Sequence, residues 1–281
     1  MTRPKITELD RLGLLALACE VSREAGEMLA SRTGRPSVVG TKSSPTDIVT
    51  ELDRAAERLI RDRIAAHRPG DAVLGEEGGL TGGGAAVRWI VDPLDGTVNY
   101  LYGLPDWAVS VAAEVDGEIM AGAVCVPRRD AIFSGVLGGG SWRASLTSRA
   151  QAGRVRLTCN PGVPLGQALI ATGFGYAPGR RKVQGQVLSA VLPRVRDIRR
   201  NGACAVDLCS LAAGNVDGYY ERGVQYWDIA AGSLIAREAG AVVGGLGGRP
   251  AGPSMTVAAG RALFPELRDL LAGLNAERDE D

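Results

Sequence analysis

Apolar and polar positions change rhythm several times along the chain, and each rhythm predicts an element. Residues 5–31 repeat Leu12, Leu15, Ala16, Cys19 and Ala30 at helical spacing. Residues 34–45, rich in Gly, Ser and Pro, read as a loop. Asp47 then opens a second helix over 47–67, with Ile48, Leu52, Ala55, Leu59 and Ile64 as its stripe and Pro69-Gly70 as its stop. A short strand at 72–74 runs into Gly75-Glu76-Glu77-Gly78-Gly79, followed by a Gly/Ala loop at 80–86 and a strand at 88–92. Residues 107–126 alternate around Asp116-Gly117, the pattern of a β-hairpin. One more strand, 130–137, precedes the turn Gly138-Gly139-Gly140.

Past residue 150 the pattern changes. Strand-like segments at 154–158, 168–172, 196–199, 217–221 and 241–243 interleave with helical stretches at 182–193, 203–213, 227–239 and 261–274. The expected fold class is α/β in two halves. Residues 1–150 form an α+β half with a mainly antiparallel sheet, and 151–281 form an α/β half. No internal repeat is present, and the charged tail at 277–281 reads as frayed.

The segment richest in chemistry is 88–100, Arg-Trp-Ile-Val-Asp-Pro-Leu-Asp-Gly-Thr-Val-Asn-Tyr. An apolar run ends in Asp92, and Pro93, lacking an N–H, is expected to stop the strand there. Asp95, Gly96 and Thr97 follow. Two carboxylates beside a glycine turn suit a hard divalent cation, and bare N–H groups next to them suit a phosphate. Asp-rich turns that bind nothing are also common. Three further acidic positions qualify: Glu76 with Glu77, Asp228 at a helix start, and Asp53 in the second helix. Each has a plainer reading: Asp228 as a helix-start carboxylate, Glu76 and Glu77 as solvated loop charges, Asp53 as an exposed partner of Arg54 or Glu57.

Composition narrows the chemistry. The 281 residues are 45% hydrophobic, enough for a real core. Charge is balanced, 32 basic against 32 acidic, which makes nucleic acid an unlikely general partner. No apolar stretch reaches the length of a membrane span, and Asp10, Glu20 and Glu24 interrupt the N-terminus, so no membrane role is expected and the expected location is cytoplasmic. Five cysteines without a CxxC pair read as reduced thiols. The single histidine, His67, sits at a helix end, which removes Ser-His-Asp hydrolysis, His-ligated zinc and phosphohistidine chemistry. No cysteine is followed by Arg six positions later, and no Asp-x-Asp or P-loop pattern occurs at this site, so the competing phosphate chemistries fit poorly.

Four motifs, taken together, resemble the inositol monophosphatases of the Mg²⁺-dependent, lithium-sensitive phosphatase superfamily, and the likeness is closest to bacterial, particularly actinobacterial, members. They are 42–53 (Lys-Ser-Ser-Pro-Thr-Asp-Ile-Val-Thr-Glu-Leu-Asp), 75–79 (Gly-Glu-Glu-Gly-Gly), 89–99 (Trp-Ile-Val-Asp-Pro-Leu-Asp-Gly-Thr-Val-Asn) and 220–232 (Tyr-Glu-Arg-Gly-Val-Gln-Tyr-Trp-Asp-Ile-Ala-Ala-Gly). The resemblance implies a five-layered α-β-α-β-α sandwich, a homodimer and two to three Mg²⁺ ions. By motif position, Glu76, Asp92 and the Leu94 carbonyl match first-metal ligands, and Asp92, Asp95 and Asp228 match second-metal ligands. Glu76 also matches the carboxylate that serves a third, weaker metal through water. Asp53 and Thr97 match the pair that orients the attacking water, with Gly96 and Thr97 as the phosphate-holding amides. Glu221, Asp228 and Gly202-Ala203-Cys204 match the ring contacts. The implied activity is hydrolysis of a small phosphate monoester, first of all myo-inositol 1-phosphate. Histidinol phosphate, bisphosphorylated nucleotides and fructose 1,6-bisphosphate are the alternatives, and a regulatory binding protein on the same fold is a rival of another class. Where the family carries Ser or Thr the chain has Ala203, which takes a hydroxyl away from the ring side. Arg180-Arg181-Lys182 reads either as an anion-steering triplet at the mouth or as an exposed run at a helix start.

Overall fold

Local side-chain chemistry sets the helix starts. In the computed structural model, which describes residues 7–32, 38–41, 48–147 and 153–279, α1 (Glu8–Ala30) begins where Thr7 and Asp10 each accept the other's backbone N–H. The second helix starts later than the stripe predicts. Its range is Glu51–His67 (α2), because the β-branched run Ile48–Thr50 is a strand, β2, paired antiparallel with β1 (Val38–Thr41). A strand therefore lies within the expected 34–45 loop, and Asp47 is outside the described residues.

The large sheet holds eight strands. They are β3 (Ala72–Gly75), β4 (Gly79–Thr81), β5 (Val87–Asp95), β6 (Ala108–Val115), β7 (Glu118–Val126), β8 (Ala131–Val136), β9 (Gly140–Ala144) and β10 (Val155–Arg156), in the spatial order β10-β9-β8-β7-β6-β5-β3-β4. All neighbours are antiparallel except β3 and β5. The β6–β7 hairpin turns on Asp116 (φ 51°) and Gly117 (φ 83°), both left-handed as a two-residue turn of this kind requires. The expected glycine loop after residue 79 begins as β4. The expected end of β5 at Asp92 is also corrected. Pairing with β3 stops at Val91, but pairing with β6 resumes at Asp95 after a bulge. The bulge lifts Pro93 out of the ladder, where its missing N–H costs nothing.

A second sheet of five strands takes the order β12-β11-β13-β15-β14, from β11 (Leu169–Thr172), β12 (Asp197–Arg199), β13 (Gly218–Glu221), β14 (Ala241–Gly244) and β15 (Thr256–Gly260). β11 is parallel to both neighbours, whereas β15 is antiparallel to both of its own. β15 is absent from the pattern reading. Every one of its residues is buried, so it shows no alternation.

Three apolar layers stack the sheets. Helices α1 and α2 cover one face of the large sheet through Leu14, Val21, Leu29, Ile60 and Ile64. On its other face lie α5 (Cys204–Ala212) and α6 (Tyr226–Glu238), sandwiched against the second sheet. Helices α4 (Pro178–Val191) and α7 (Leu263–Gly273) close the outer face through Val183, Val187, Leu267 and Leu271. The result is the α-β-α-β-α sandwich. Its central layer is thin because small residues meet there. A Cβ on Gly232 would stand 2.9 Å from Leu208 Cβ, and one on Gly122 would stand 3.0 Å from Ala231 Cα.

Candidate active site

The bulged end of β5 and the N-termini of α5 and α6 open into one cleft of about 540 Å³, lined by Glu76, Asp92, Leu94, Asp95, Gly96, Thr97, Gly202, Ala203, Cys204, Glu221 and Asp228 among others. Eleven of the twelve residues to which the resemblance gives a site role therefore meet in one place. The twelfth, Asp53, is fully buried and does not line it.

Backbone N–H groups aim three of the carboxylates. Leu94 N–H, released by the bulge, donates to Asp92 Oδ1 at 2.9 Å. Ala205 N–H donates to Asp95 Oδ2 at 2.7 Å. Gln225 N–H donates to Asp228 Oδ2 at 2.7 Å. The second contact replaces a helix cap. Ala203 stands at the N-cap of α5 and has no side-chain oxygen, so the Asp95 carboxylate from the other half of the chain serves the first turn instead. Gly96 allows this close meeting. Its φ is +87°, and a Cβ there would lie 2.9 Å from Asp106 O and 3.1 Å from Ala203 Cβ.

Asp53 works from behind the wall. Its Oδ2 takes the Thr50 N–H at 2.8 Å and the Thr50 hydroxyl, forming the α2 cap. Its Oδ1 faces the Thr97 hydroxyl at 3.1 Å, while the Leu94 carbonyl lies 3.1 Å from that same hydroxyl. One proton cannot serve both acceptors, and the carboxylate is the stronger. Donation to Asp53 leaves the Leu94 carbonyl available to a cation and the Thr97 oxygen available to a water. The plainer reading of Asp53 as an exposed partner is thus corrected by its burial.

Glu76 owes its place to a residue the sequence reading passed over. Glu57, on α2 and nearly fully buried, accepts the N–H groups of Glu77 at 2.8 Å and Gly78 at 2.9 Å, and Arg61 Nε at 2.8 Å. The signal was present in the Asp53/Glu57 i,i+4 spacing facing two glycines. Glu77 contributes this backbone contact and does not line the cleft. Asn99 was also passed over as a site residue. Its side-chain N–H group donates to Asp106 O at 2.5 Å and to Asn201 O at 2.7 Å, and Asn201 in turn donates to Asp207 Oδ1 at 2.5 Å. That chain ties α3 (Thr97–Tyr102), itself missed by the pattern reading, to the loop before α5.

The electrostatics are those of crowded anions. Burial holds the Asp95 carboxyl well above the ordinary range, and the charges of Asp228, Glu221 and Glu76 push the same way against the Ala205 N–H. Burial raises Glu221 to about 7, tempered by a 2.9 Å bond from the Tyr219 hydroxyl and by Arg200. Burial raises the Cys204 thiol as well, which suits a packing role rather than a nucleophile. Divalent cations relieve such crowding. Among the described residues no three His, Cys, Asp or Glu side chains are gathered tightly enough to encage an ion by themselves. The donor set, carboxylates plus the Leu94 carbonyl, therefore fits a hard cation that keeps water or substrate oxygens in its shell. His67 stands apart, in the last turn of α2, with Nδ1 2.9 Å from Arg63 O. All five cysteines are free.

Comparison with known proteins points to one family. The model of the inositol monophosphatase family matches residues 10–280. A Mycobacterium tuberculosis protein named inositol-1-monophosphatase SuhB is 48% identical over 256 residues, 86% of each chain. A Vibrio cholerae protein named Nus factor SuhB is 38% identical over 236 residues, 82% of this chain and 84% of the other. The solved structure of Mycobacterium tuberculosis SuhB superposes with a TM-score of 0.79 at 40% identity, covering 95% of this chain and 99% of the other.

Proposed function

The chain belongs to the inositol monophosphatase family and is a phosphatase, and from that premise we propose that it hydrolyses small alcohol phosphates with Mg²⁺, myo-inositol 1-phosphate first among them. The observation that carries the proposal is the convergence of Glu76, Asp92, Asp95 and Asp228, with the Leu94 carbonyl, at one end of a cleft of substrate size. In this reading Glu76, Asp92 and Leu94 O hold one Mg²⁺, and Asp92, Asp95 and Asp228 hold a second. Glu76 serves a third through water. Bound there, Mg²⁺ supplies charge screening for the phosphate dianion and acidifies a coordinated water.

The chain's own groups do the rest. Thr97, its proton committed to Asp53, accepts a hydrogen bond from the attacking water and orients it. The first-turn N–H groups of Gly96 and Thr97 have no partners within α3 and receive a phosphate oxygen. Glu221 and Asp228, with residues 202–204, face the alcohol. Ala203 offers no hydroxyl to it, so recognition on that side falls to backbone amides and Glu221. Histidinol phosphate is the next candidate for the alcohol. A cytoplasmic location and a homodimer belong to the same proposal. Among the described residues no helix is long and apolar enough to cross a membrane.

The test is phosphate release from inositol 1-phosphate, histidinol phosphate, 3′-phosphoadenosine 5′-phosphate and fructose 1,6-bisphosphate, with and without Mg²⁺. A Mg²⁺-dependent preference led by inositol 1-phosphate is the expected result. Silence across the panel from folded protein would overturn the proposal in favour of the second reading, a regulatory binding role through a partner such as RNA polymerase. The name of the Vibrio relative favours that second reading. The set of carboxylates speaks against it, since a binding module has no use for them. Lithium inhibition at tens of millimolar is also expected, and its absence would count against the second-metal assignment.

A further inference from the structure

Arginine is seldom buried unless acceptors meet it, and Arg222 is only 8% exposed. It follows Glu221 directly, where β13 ends and the chain turns toward α6. Strand alternation sends its side chain to the face opposite Glu221, into a tight space shared with Tyr220, Gln184, Val187 and Ala276. Among the described residues its guanidinium has two partners, and both belong to the segment after α7. Nη2 meets the Asp279 carboxylate at 2.5 Å, and Nη1 donates to the Arg278 carbonyl. Nε is buried without a partner.

Residues 277–279, expected from sequence to fray, are fastened instead. Glu277 pairs with Arg249, and Arg278 donates to Gln186 Oε1 on α4 at 2.5 Å and to the Leu274 carbonyl at 2.8 Å. The segment is thus a strap laid over Arg222. An exposed ion pair stabilises little by itself, but this one is uneven. The Asp279 side chain is 82% exposed and can leave for water. The buried cation cannot follow unless its backbone moves, and left alone it is an unpaired buried charge.

That backbone is part of the cleft wall. The Arg222 carbonyl lies 3.4 Å from Gln184 Nε2, and Gln184 Oε1 accepts the Gly175 N–H at 2.9 Å, so one buried amide joins the wall loops 173–176 and 222–225. Arg180 fills the space between them. A Cβ on Gly175 would come within 2.9 Å of its Cδ, and one on Gly223 within 2.7 Å of its Nη1. Gly223 N–H donates to Pro253 O at 2.9 Å, and Gln225 Nε2 donates to Gly223 O at 2.9 Å. Gln225 N–H then donates to Asp228 Oδ2. The turn carries Glu221 at one end and Asp228 at the other, and Arg222 anchors it from beneath.

We propose that Arg222 is a positioning residue for the alcohol and second-metal side of the cleft, and that the strap 277–279, by pairing it, holds Glu221 and Asp228 at their working separation. Arg222 acts through the turn and not on the substrate. The kinetic part of the inference rests on the phosphatase reading above.

The experiment compares wild type with Asp279→Lys, Asp279→Glu, Arg222→Met and the double variant Arg222→Met/Asp279→Lys. Asp279→Lys sets a like charge against the buried cation from an exposed position, so the core is left intact. In metal-free protein it is expected to speed amide hydrogen exchange in 222–225 and 173–176, and Asp279→Glu is expected to keep the wild-type pattern. In turnover of inositol 1-phosphate, Asp279→Lys is expected to raise both KM and the half-saturating Mg²⁺ concentration about fivefold, with kcat little moved. The double variant is expected to lose no more than Arg222→Met alone. Asp269→Lys, the same charge change on the exposed face of α7, is expected to behave as wild type. Unchanged exchange in the turn overturns the inference. So does faster exchange with wild-type KM and Mg²⁺ dependence, which leaves the strap a purely stabilising part, and so does an equal shift in Asp269→Lys. A wild type that releases no phosphate is the failure of the phosphatase reading, and the exchange pattern then still decides whether the strap holds the turn.

Discussion

At the scale of single residues, the division of labour between Asp53 and Thr97 is the sharpest statement the structure makes. Asp53 is buried behind the wall and reaches the cleft only through a hydroxyl. Thr97→Val keeps the shape and removes that hydroxyl. It is expected to lower kcat by about 10²–10³ while leaving the Mg²⁺ concentration for half-maximal rate near its wild-type value. A rise in that concentration alone would instead make Thr97 a metal-site residue. Asp92, Asp95 and Asp228 stood out in the sequence because each has a recognisable neighbour, Pro93, Gly96 or Trp227, while their proposed part as metal ligands came from the resemblance. Glu57 and Asn99 were not legible as site residues. Their work is done on backbone groups 20 and 102 residues away, and no local pattern encodes that.

At the scale of elements, α2 is the platform for the Glu76 loop. Glu57→Ala strips the acceptor from two N–H groups and from Arg61, which is expected to cost about 2–4 kcal/mol in urea unfolding. The same change is expected to weaken Mg²⁺ binding, read by calorimetry, because Glu76 loses its support. Full retention of Mg²⁺ affinity with the stability loss would confine Glu57 to a structural part. Elements with a clear period, α1 and the β6–β7 hairpin, were read from sequence nearly to their ends, and α2 to its C-terminal end. β15 and α3 were not. The first is buried on both faces and the second is a six-residue helix of mixed polarity started by a left-handed glycine. β1 and β2 were read as loop and helix because three or four residues carry too little periodicity to outweigh their neighbours.

At the scale of the whole molecule, the cleft is a seam in which anions are gathered at a cost to stability. Asp207, beneath the loop before α5, is raised by burial to about 8 despite its bond from Asn201, and Glu221 is raised to about 7. Both keep a proton in the folded state that the unfolded chain gives up near its ordinary value of 3.8 or 4.5. Their contribution to stability is therefore full below about pH 4 and is lost as pH rises toward those folded values. In chelator, the metal-free protein is expected to become less stable from pH 5 to 8. Asp207→Asn should remove up to ~1.4 kcal/mol per pH unit of that slope. Identical slopes in urea titrations of the two proteins would show that Asp207 ionises freely. The five layers were implied by resemblance rather than by periodicity, since no local rhythm says that α5 and α6 lie between two sheets. The central claim is that carboxylates from both sheets form one Mg²⁺-dependent phosphatase site. The measurement that meets it most directly is phosphate release from inositol 1-phosphate across a Mg²⁺ titration, for wild type beside Asp92→Asn. The account predicts release that rises with Mg²⁺ in wild type and stays at background in Asp92→Asn at every concentration. Near-normal turnover by Asp92→Asn at saturating Mg²⁺ would contradict it.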